Sequence, residues 1–75
     1  MDRPEQTLSA GLDAGELLLT SGAEAARVED TMRRLARAYG FVRADVLTIT
    51  ASMAVTVRTA DGQVITQTRR ILRRG

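Results

Sequence analysis

The chain has 75 residues, of which 44% are hydrophobic and 27% charged, and its formal net charge is +2. It contains no cysteine and no histidine, which excludes disulfides, zinc sites of the usual Cys/His kind and histidine acid–base catalysis. A chain of this length forms one small domain, so oligomerisation or additional sequence is the expected source of further stability.

The positive charge is concentrated at the C-terminal end of the sequence. Residues 1–68 carry seven arginines and nine acidic residues, whereas the last seven residues contain four arginines: Arg69, Arg70, Arg73 and Arg74. No apolar run reaches the roughly 20 residues that span a bilayer. In a signal peptide an apolar stretch would follow the N-terminal residues, and none follows residues 1–5 here. These patterns predict that the chain alone is soluble and cytoplasmic.

The first predicted helix runs from about Glu5 to Thr20, after a disordered N-terminus of residues 1–5. Apolar residues recur at helical spacing on one side of it. They are Leu8, Leu12, Gly15 and Leu19, and this stripe is widened by Leu17 and Leu18. Gly11 and Gly15 lie one turn apart, which favours either a groove where another helix approaches closely or simple tolerance of two poor helix formers.

A second helix is predicted from about Ala23 to Tyr39. Ser21 and Glu24 have the spacing of a capping box, in which each side chain accepts a hydrogen bond from the other residue's amide. The predicted buried stripe consists of Val28, Met32, Leu35, Ala36 and Tyr39. Gly40 is expected to end the helix in the left-handed conformation, with Phe41 closing the cap through an apolar contact.

The sequence after Gly40 has the character of strands. Residues 46–50 and 53–57 are rich in β-forming side chains, and the second of these segments alternates between apolar and polar residues. Asp61-Gly62 is a hairpin turn signal, and a third strand should follow from about Gln63 to Arg70. We therefore predict an α+β fold, with two N-terminal helices packed on one face of a small antiparallel sheet of about three strands, in the order α-α-β-β-β.

An ordered series of short motifs resembles the N-terminal domain of the threonine/serine exporter family. The helical motifs are Gly15-Glu16-Leu17-Leu18, Ser21-Gly22-Ala23-Glu24, Arg27-Val28-Glu29-Asp30 and an arginine-rich helix that ends at Gly40. The later motifs are Thr48-Ile49-Thr50, the strand at 53–57, Asp61-Gly62 and Arg69-Arg70-Ile71. Ala25-Ala26 and Ala51 depart from the family pattern. The resemblance covers roughly residues 10–72, so residues 6–72 are interpreted as a partial N-terminal domain and residues 73–75 as a basic tail.

The resemblance implies a cytoplasmic domain of an amino-acid exporter, here without its transmembrane part. Its implied partners are the membrane part of the same or a neighbouring chain and, through self-association, further copies of itself. Threonine and serine would be substrates of the full transporter only. Joined to a membrane domain, the chain would lie at the inner face of the membrane, where arginines that precede a membrane helix are favoured. A solvated basic terminus explains the same arginines without a membrane.

Seven charged residues are candidates for interaction with a partner: Arg27, Glu29, Asp30, Arg33, Arg34, Arg69 and Arg70. Those on the second helix are also explained as ordinary surface ion pairs, because Arg27 and Asp30 have i,i+3 spacing, and Glu29–Arg33 and Asp30–Arg34 have i,i+4 spacing. Adjacent carboxylates on a helix point about 100° apart, so they do not converge on one substrate. No nucleophile elbow or phosphate-binding loop is present in the sequence. We therefore predict no enzyme activity, no catalytic residue, no cofactor and no metal.

Two alternatives remain for a free-standing chain. Nucleic-acid binding is suggested by the pI of about 10.4 and by two helices joined through Ser21-Gly22, but the second helix begins with the acidic residues Glu24, Glu29 and Asp30, which disfavours contact with phosphates. The other alternative is an oligomerisation module that pairs through the edge strand or through the Gly11/Gly15 face.

Overall fold

The computed structural model describes residues 3–71 and contains two helices followed by three strands. The helices are α1 (Pro4–Thr20) and α2 (Ala25–Ala38), and the strands are β1 (Arg43–Ile49), β2 (Ser52–Arg58) and β3 (Val64–Arg70). The predicted α+β fold with the order α-α-β-β-β is confirmed. Helix α1 begins at Pro4, one residue before the predicted start at about Glu5. The basic tail at 73–75 lies outside the described residues.

The strands form one antiparallel sheet in the order β1-β2-β3. Strands β1 and β2 pair from Arg43↔Arg58 to Ile49↔Ser52, so that Thr50 and Ala51 alone form the turn, with Thr50 at a φ of 48°. Strands β2 and β3 are joined by residues 59–63, where Gly62 has a φ of 94°. This geometry confirms the turn predicted at Asp61-Gly62, because glycine adopts a positive φ without steric cost.

Both helices cover the same face of the sheet, and the core lies between the helices and the sheet. The buried hydrophobic side chains come from α1, α2 and the central strand β2, and from Phe41 and Ile71, which follow α2 and β3. They are Leu8, Leu12, Val28, Met32, Ala36, Phe41, Met53, Val55, Val57 and Ile71. Since side chains alternate across a strand, the other face of the sheet, here called the open face, carries the residues that point away from both helices.

Gly15 allows α1 to approach the core closely. A Cβ atom at this position would lie 2.8 Å from Sδ of Met32 and 3.0 Å from Cε of Met53. At Gly11 the nearest atom, Cε of Met32, would be 3.9 Å away, which is ordinary contact. Both glycines are buried within the chain, so the close approach suggested by their spacing occurs against α2 and β2. The Gly11/Gly15 face is therefore not free for pairing with a second copy.

The predicted capping box is wrong, because Ser21 and Gly22 end α1 instead of starting α2. The amide of Gly22 donates to the carbonyl of Leu19, and the amide of Ala23 donates to the carbonyl of Leu18. With Gly22 at a φ of 96°, these bonds form a Schellman motif. Helix α2 then begins after Glu24, whose side chain makes no capping hydrogen bond. The short segment before α2 carries sequence signals for both a helix end and a helix start. In the structure Gly22 ends α1, and the capping box does not form.

The C-terminal end of α2 follows the sequence pattern. The amide of Gly40 donates to Arg37 and that of Phe41 to Ala36, Gly40 has a φ of 96°, and Phe41 is buried. The prediction that Tyr39 belongs to the buried stripe is wrong, because its side chain is 52% exposed. Leu17 likewise points into solvent, whereas Leu18 packs against the core.

Candidate functional site

Glu29 binds the edge of the sheet. Its carboxylate oxygen Oε2 accepts hydrogen bonds from the backbone amide of Thr48 at 3.0 Å and from the Thr48 hydroxyl at 2.7 Å. These two bonds hold the pKa of Glu29 below its usual range, since they favour the charged form more than partial burial disfavours it, and the nearby charge of Arg33 adds a smaller effect. Thr48 lies on β1, which is an edge strand, so the carboxylate satisfies an amide that has no neighbouring strand.

The other acidic candidate on α2 makes an ordinary surface ion pair. Oδ2 of Asp30 lies 3.1 Å from Nε of Arg34, at the predicted i,i+4 spacing, and both side chains are largely exposed. Such pairs contribute a few tenths of a kcal/mol. Arg27 is exposed near the start of α2, and its predicted partnership with Asp30 is not among the ion pairs of residues 3–71.

Arg33 and Arg37 lie together on the flank of α2 that faces the start of β1. They line a shallow concave surface whose remaining walls come from Phe41, Val42, Arg43 and Ala44. We call this region the α2–β1 basic surface. Val42 is 60% exposed there, which leaves an apolar side chain beside the arginines.

Arg69 ties β3 to α1. Its Nη1 atom lies 2.9 Å from Oδ1 of Asp13 and 2.8 Å from Oε1 of Glu16, and its side chain is only 26% exposed. Hydrogen bonds to both carboxylates raise the pKa of Arg69, with the bond to Glu16 the larger cause, so the guanidinium stays charged at any physiological pH. A second link lies beside it. Gln67 accepts from the Ser9 hydroxyl and donates to the backbone carbonyl of Glu5, both at 3.0 Å.

Arg70 points the other way from Arg69. Because neighbouring residues of a strand project to opposite faces, Arg70 lies on the open face, where it is exposed. The open face also presents Leu47 and Ile49, each more than half exposed, and a shallow depression between Arg43, Asp45 and Arg58. The two tail arginines that the sequence grouped together are therefore separated, one bound to α1 and one in solvent.

The structure thus divides the seven candidates into several environments instead of one site. Glu29 and Arg69 hold elements together, and Asp30 and Arg34 form a surface pair. Arg33 belongs to the basic surface, which also includes Arg37 and Arg43, two residues that the sequence analysis did not select. The i,i+4 spacing of Arg33 and Arg37 would have identified the pair, since residues four apart share a helix face. Spacing could not have identified Arg43, because the position of β1 beside α2 depends on how the chain turns after Gly40.

Within residues 3–71 no three acidic side chains come close enough together to hold a metal ion. None of the helices in this part of the chain is long and apolar enough to cross a membrane.

Comparison with known proteins identifies the family. The model of the family described as "Putative threonine/serine exporter" (ThrE) matches residues 10–75. Searches among curated proteins and among solved structures gave no significant match. The family match includes most of α1, all of α2 and the whole sheet, which are the elements that carry every motif of the resemblance. The chain therefore belongs to the threonine/serine exporter family.

Proposed function

We propose that this chain is a cytoplasmic, non-catalytic N-terminal domain of a threonine/serine exporter, which acts on the membrane part of the transporter. The observation that carries the proposal is the family match over residues 10–75, because it covers nearly the whole folded unit instead of a single motif. Threonine and serine would be substrates of the full transporter and not ligands of this domain.

The positions of the acidic side chains support a non-catalytic role. Glu29 accepts two hydrogen bonds from Thr48, and Asp13 and Glu16 share the guanidinium of Arg69. A carboxylate that acts as a general base must be free to accept a proton from a substrate within hydrogen-bonding reach. These three carboxylates are instead engaged in holding the two helices to the sheet.

The arginine-rich side of α2 is the surface we assign to contact with the membrane part of the same or a neighbouring chain. Arg33 and Arg34 are both exposed there, and exposed charges direct the orientation and rate of association between proteins more than they raise affinity. Self-association of the domain is compatible with this arrangement, since β3 is an edge strand with no neighbouring strand on its outer side among the described residues.

The experiment is an efflux assay in cells that express the exporter gene containing this domain. We expect deletion of residues 4–71, and the double change Arg33→Glu/Arg34→Glu, to lower threonine or serine efflux while the amount of membrane protein stays normal. The matched control is Arg58→Glu/Arg70→Glu, which makes the same charge change on the open face of the sheet. Unchanged efflux after the deletion, at normal protein levels, would refute the proposed role.

A further inference from the structure

We infer that the α2–β1 basic surface binds the phosphate of an anionic membrane lipid, with Arg33 and Arg37 as the principal ligands. This inference rests on the proposed function, because it places the folded domain against the membrane that the transporter occupies. It adds a ligand class and a binding surface that the family match does not provide.

The first argument concerns charge. Helix α2 contains four arginines and two acidic residues, and both acidic residues are engaged elsewhere. Glu29 is turned towards Thr48, and Asp30 is paired with Arg34. Among residues 3–71 no carboxylate forms an ion pair with Arg33 or Arg37. The flank of α2 beside β1 therefore carries two arginines that form no ion pair among the described residues, while the ionised Glu29 lies near Arg33 but directs its carboxylate to Thr48.

The second argument concerns shape. Arg33 and Arg37 lie one helical turn apart and border a concavity with Phe41 and Val42. A guanidinium presents its donors in a planar fork that fits two phosphate oxygens, so two guanidinium groups at one concavity suit a phosphate better than dispersed lysines would. Val42, more than half exposed, provides an apolar contact for the region just below the lipid headgroups.

Arg43 lies at the rim of the same concavity. Its Nε atom is 3.4 Å from Oδ2 of Asp45, and both side chains are more than 60% exposed. An exposed pair at this distance is weak, so Arg43 can exchange its contact with Asp45 for a phosphate. Arg34, by contrast, is on the same helix but points away from the concavity and keeps a partner in Asp30. It therefore provides a matched control for the loss of one positive charge.

The experiment measures binding of the 75-residue chain to vesicles of phosphatidylcholine with and without phosphatidylglycerol, by co-sedimentation. We expect binding only to the vesicles that contain phosphatidylglycerol. Since each arginine near an anionic surface changes affinity by about fivefold, Arg33→Gln/Arg37→Gln should weaken binding by about 25-fold, and Arg34→Gln by less than about fivefold. All variants keep Arg73 and Arg74. Circular dichroism verifies that each variant is folded, as we expect because the replaced arginines are exposed.

Three outcomes would overturn the inference. Equal losses for Arg34→Gln and for either Arg33→Gln or Arg37→Gln would mean that net charge alone governs binding. Binding of inorganic phosphate with the same variant dependence, without binding to vesicles, would assign the site to a soluble anion. Tighter binding to duplex DNA with that dependence would assign it to nucleic acid. Each of these results leaves the efflux assay unaffected, so failure of the inference is distinguishable from failure of the proposed function.

Discussion

Gly15 is the residue at which the core tolerates the least additional volume. A Cβ atom there would meet the thioether groups of Met32 and Met53 at 2.8–3.0 Å, and these methionines are themselves almost fully buried. Methionine is flexible, but a side chain enclosed on all sides has little room to move. We therefore expect Gly15→Ala to lose, through overpacking, at least the roughly 1 kcal/mol that alanine gains over glycine as a helix former.

The matched control is Gly11→Ala, one turn earlier on the same buried face of α1. It has the same gain in helix propensity, but its Cβ meets Met32 only at 3.9 Å. Urea unfolding should show Gly11→Ala to be more stable than Gly15→Ala by about 1–3 kcal/mol. Equal unfolding midpoints would show that Met32 and Met53 adjust without cost.

The pKa of Glu29 is the second property that belongs to a single residue. Two hydrogen bonds from Thr48 stabilise the ionised carboxylate, so the pKa is lower in the folded state than in the unfolded state. The stability contributed by Glu29 is therefore complete at pH values above its unfolded pKa of about 4.3, and it is lost as the pH falls through the lower, folded pKa. An NMR titration of the Glu29 side chain should give a pKa below the usual range, and Thr48→Val should raise it.

Two variants separate this effect from general acid unfolding. Between neutral pH and pH about 3, the unfolding free energy should fall less for Glu29→Gln than for the native chain. Asp30→Asn removes a carboxylate from the same helix, but one whose exposed pair with Arg34 contributes little, so its pH dependence should match the native chain. Identical pH dependence for Glu29→Gln and the native chain would contradict the assignment. The sequence could not have predicted Thr48 as the partner, because the two residues are 19 positions apart, whereas Arg33 lies at i,i+4.

At the scale of elements, the connection between α1 and α2 determines how the two helices are placed. The sequence predicted both helices from their periodicity, but it assigned Ser21 to the start of α2 because serine and Glu24 fit the capping box. Gly22 explains why this segment ends α1 instead. Its φ of 96° lets the amides of Gly22 and Ala23 donate to the last carbonyls of α1, which would otherwise have no partner. Sequence spacing alone does not show that this requirement outweighs helix capping.

These two interpretations make opposite predictions for neighbouring residues. In a capping box, Ser21→Ala would cost about 1 kcal/mol. In the observed geometry Ser21 contributes its backbone amide to the end of α1, so we expect a change of less than about 0.5 kcal/mol. Gly22→Ala, in contrast, should cost about 1–2 kcal/mol because of the left-handed backbone conformation, although no atom lies within 4 Å of the added Cβ. Thermal unfolding of both variants tests the difference, and a larger loss for Ser21→Ala would favour the capping box.

At the scale of the whole molecule, the fold class could be predicted because each element carries its own periodicity and turn signals. The order of helices and strands and the hairpin at Gly62 follow from such local patterns. The arrangement of charges could not, because it depends on which face of the sheet the helices cover. From the sequence alone Arg69 and Arg70 cannot be told apart, because both belong to the same basic segment. Only the alternation of β3, fixed by its pairing with Met53 and Val55 on the helix-covered face, distinguishes them.

This distinction gives the prediction that tests the assembled domain. Arg69 joins the last strand to the first helix across 53–56 residues of sequence, whereas Arg70 lies on the open face. Charged hydrogen bonds that are partly shielded from water contribute about 1–2 kcal/mol in total, and removal of the guanidinium leaves Asp13 and Glu16 without a partner. Arg69→Met, which retains an apolar stem, should therefore lower the unfolding free energy by about this amount.

The control for this prediction is Arg70→Met, which removes the same charge from the neighbouring residue. Its unfolding free energy should stay within about 0.5 kcal/mol of the native value, as for most exposed positions. Urea denaturation at low and high salt measures both variants, and the stability difference between them should narrow at high salt because the ion pairs are partly exposed. A salt-independent loss shared equally by the two variants would mean that net positive charge, and not the bridge from β3 to α1, stabilises the chain. Hydrogen exchange adds the spatial test, since loss of the bridge should raise exchange in the first three turns of α1 while the amides of β2 stay protected.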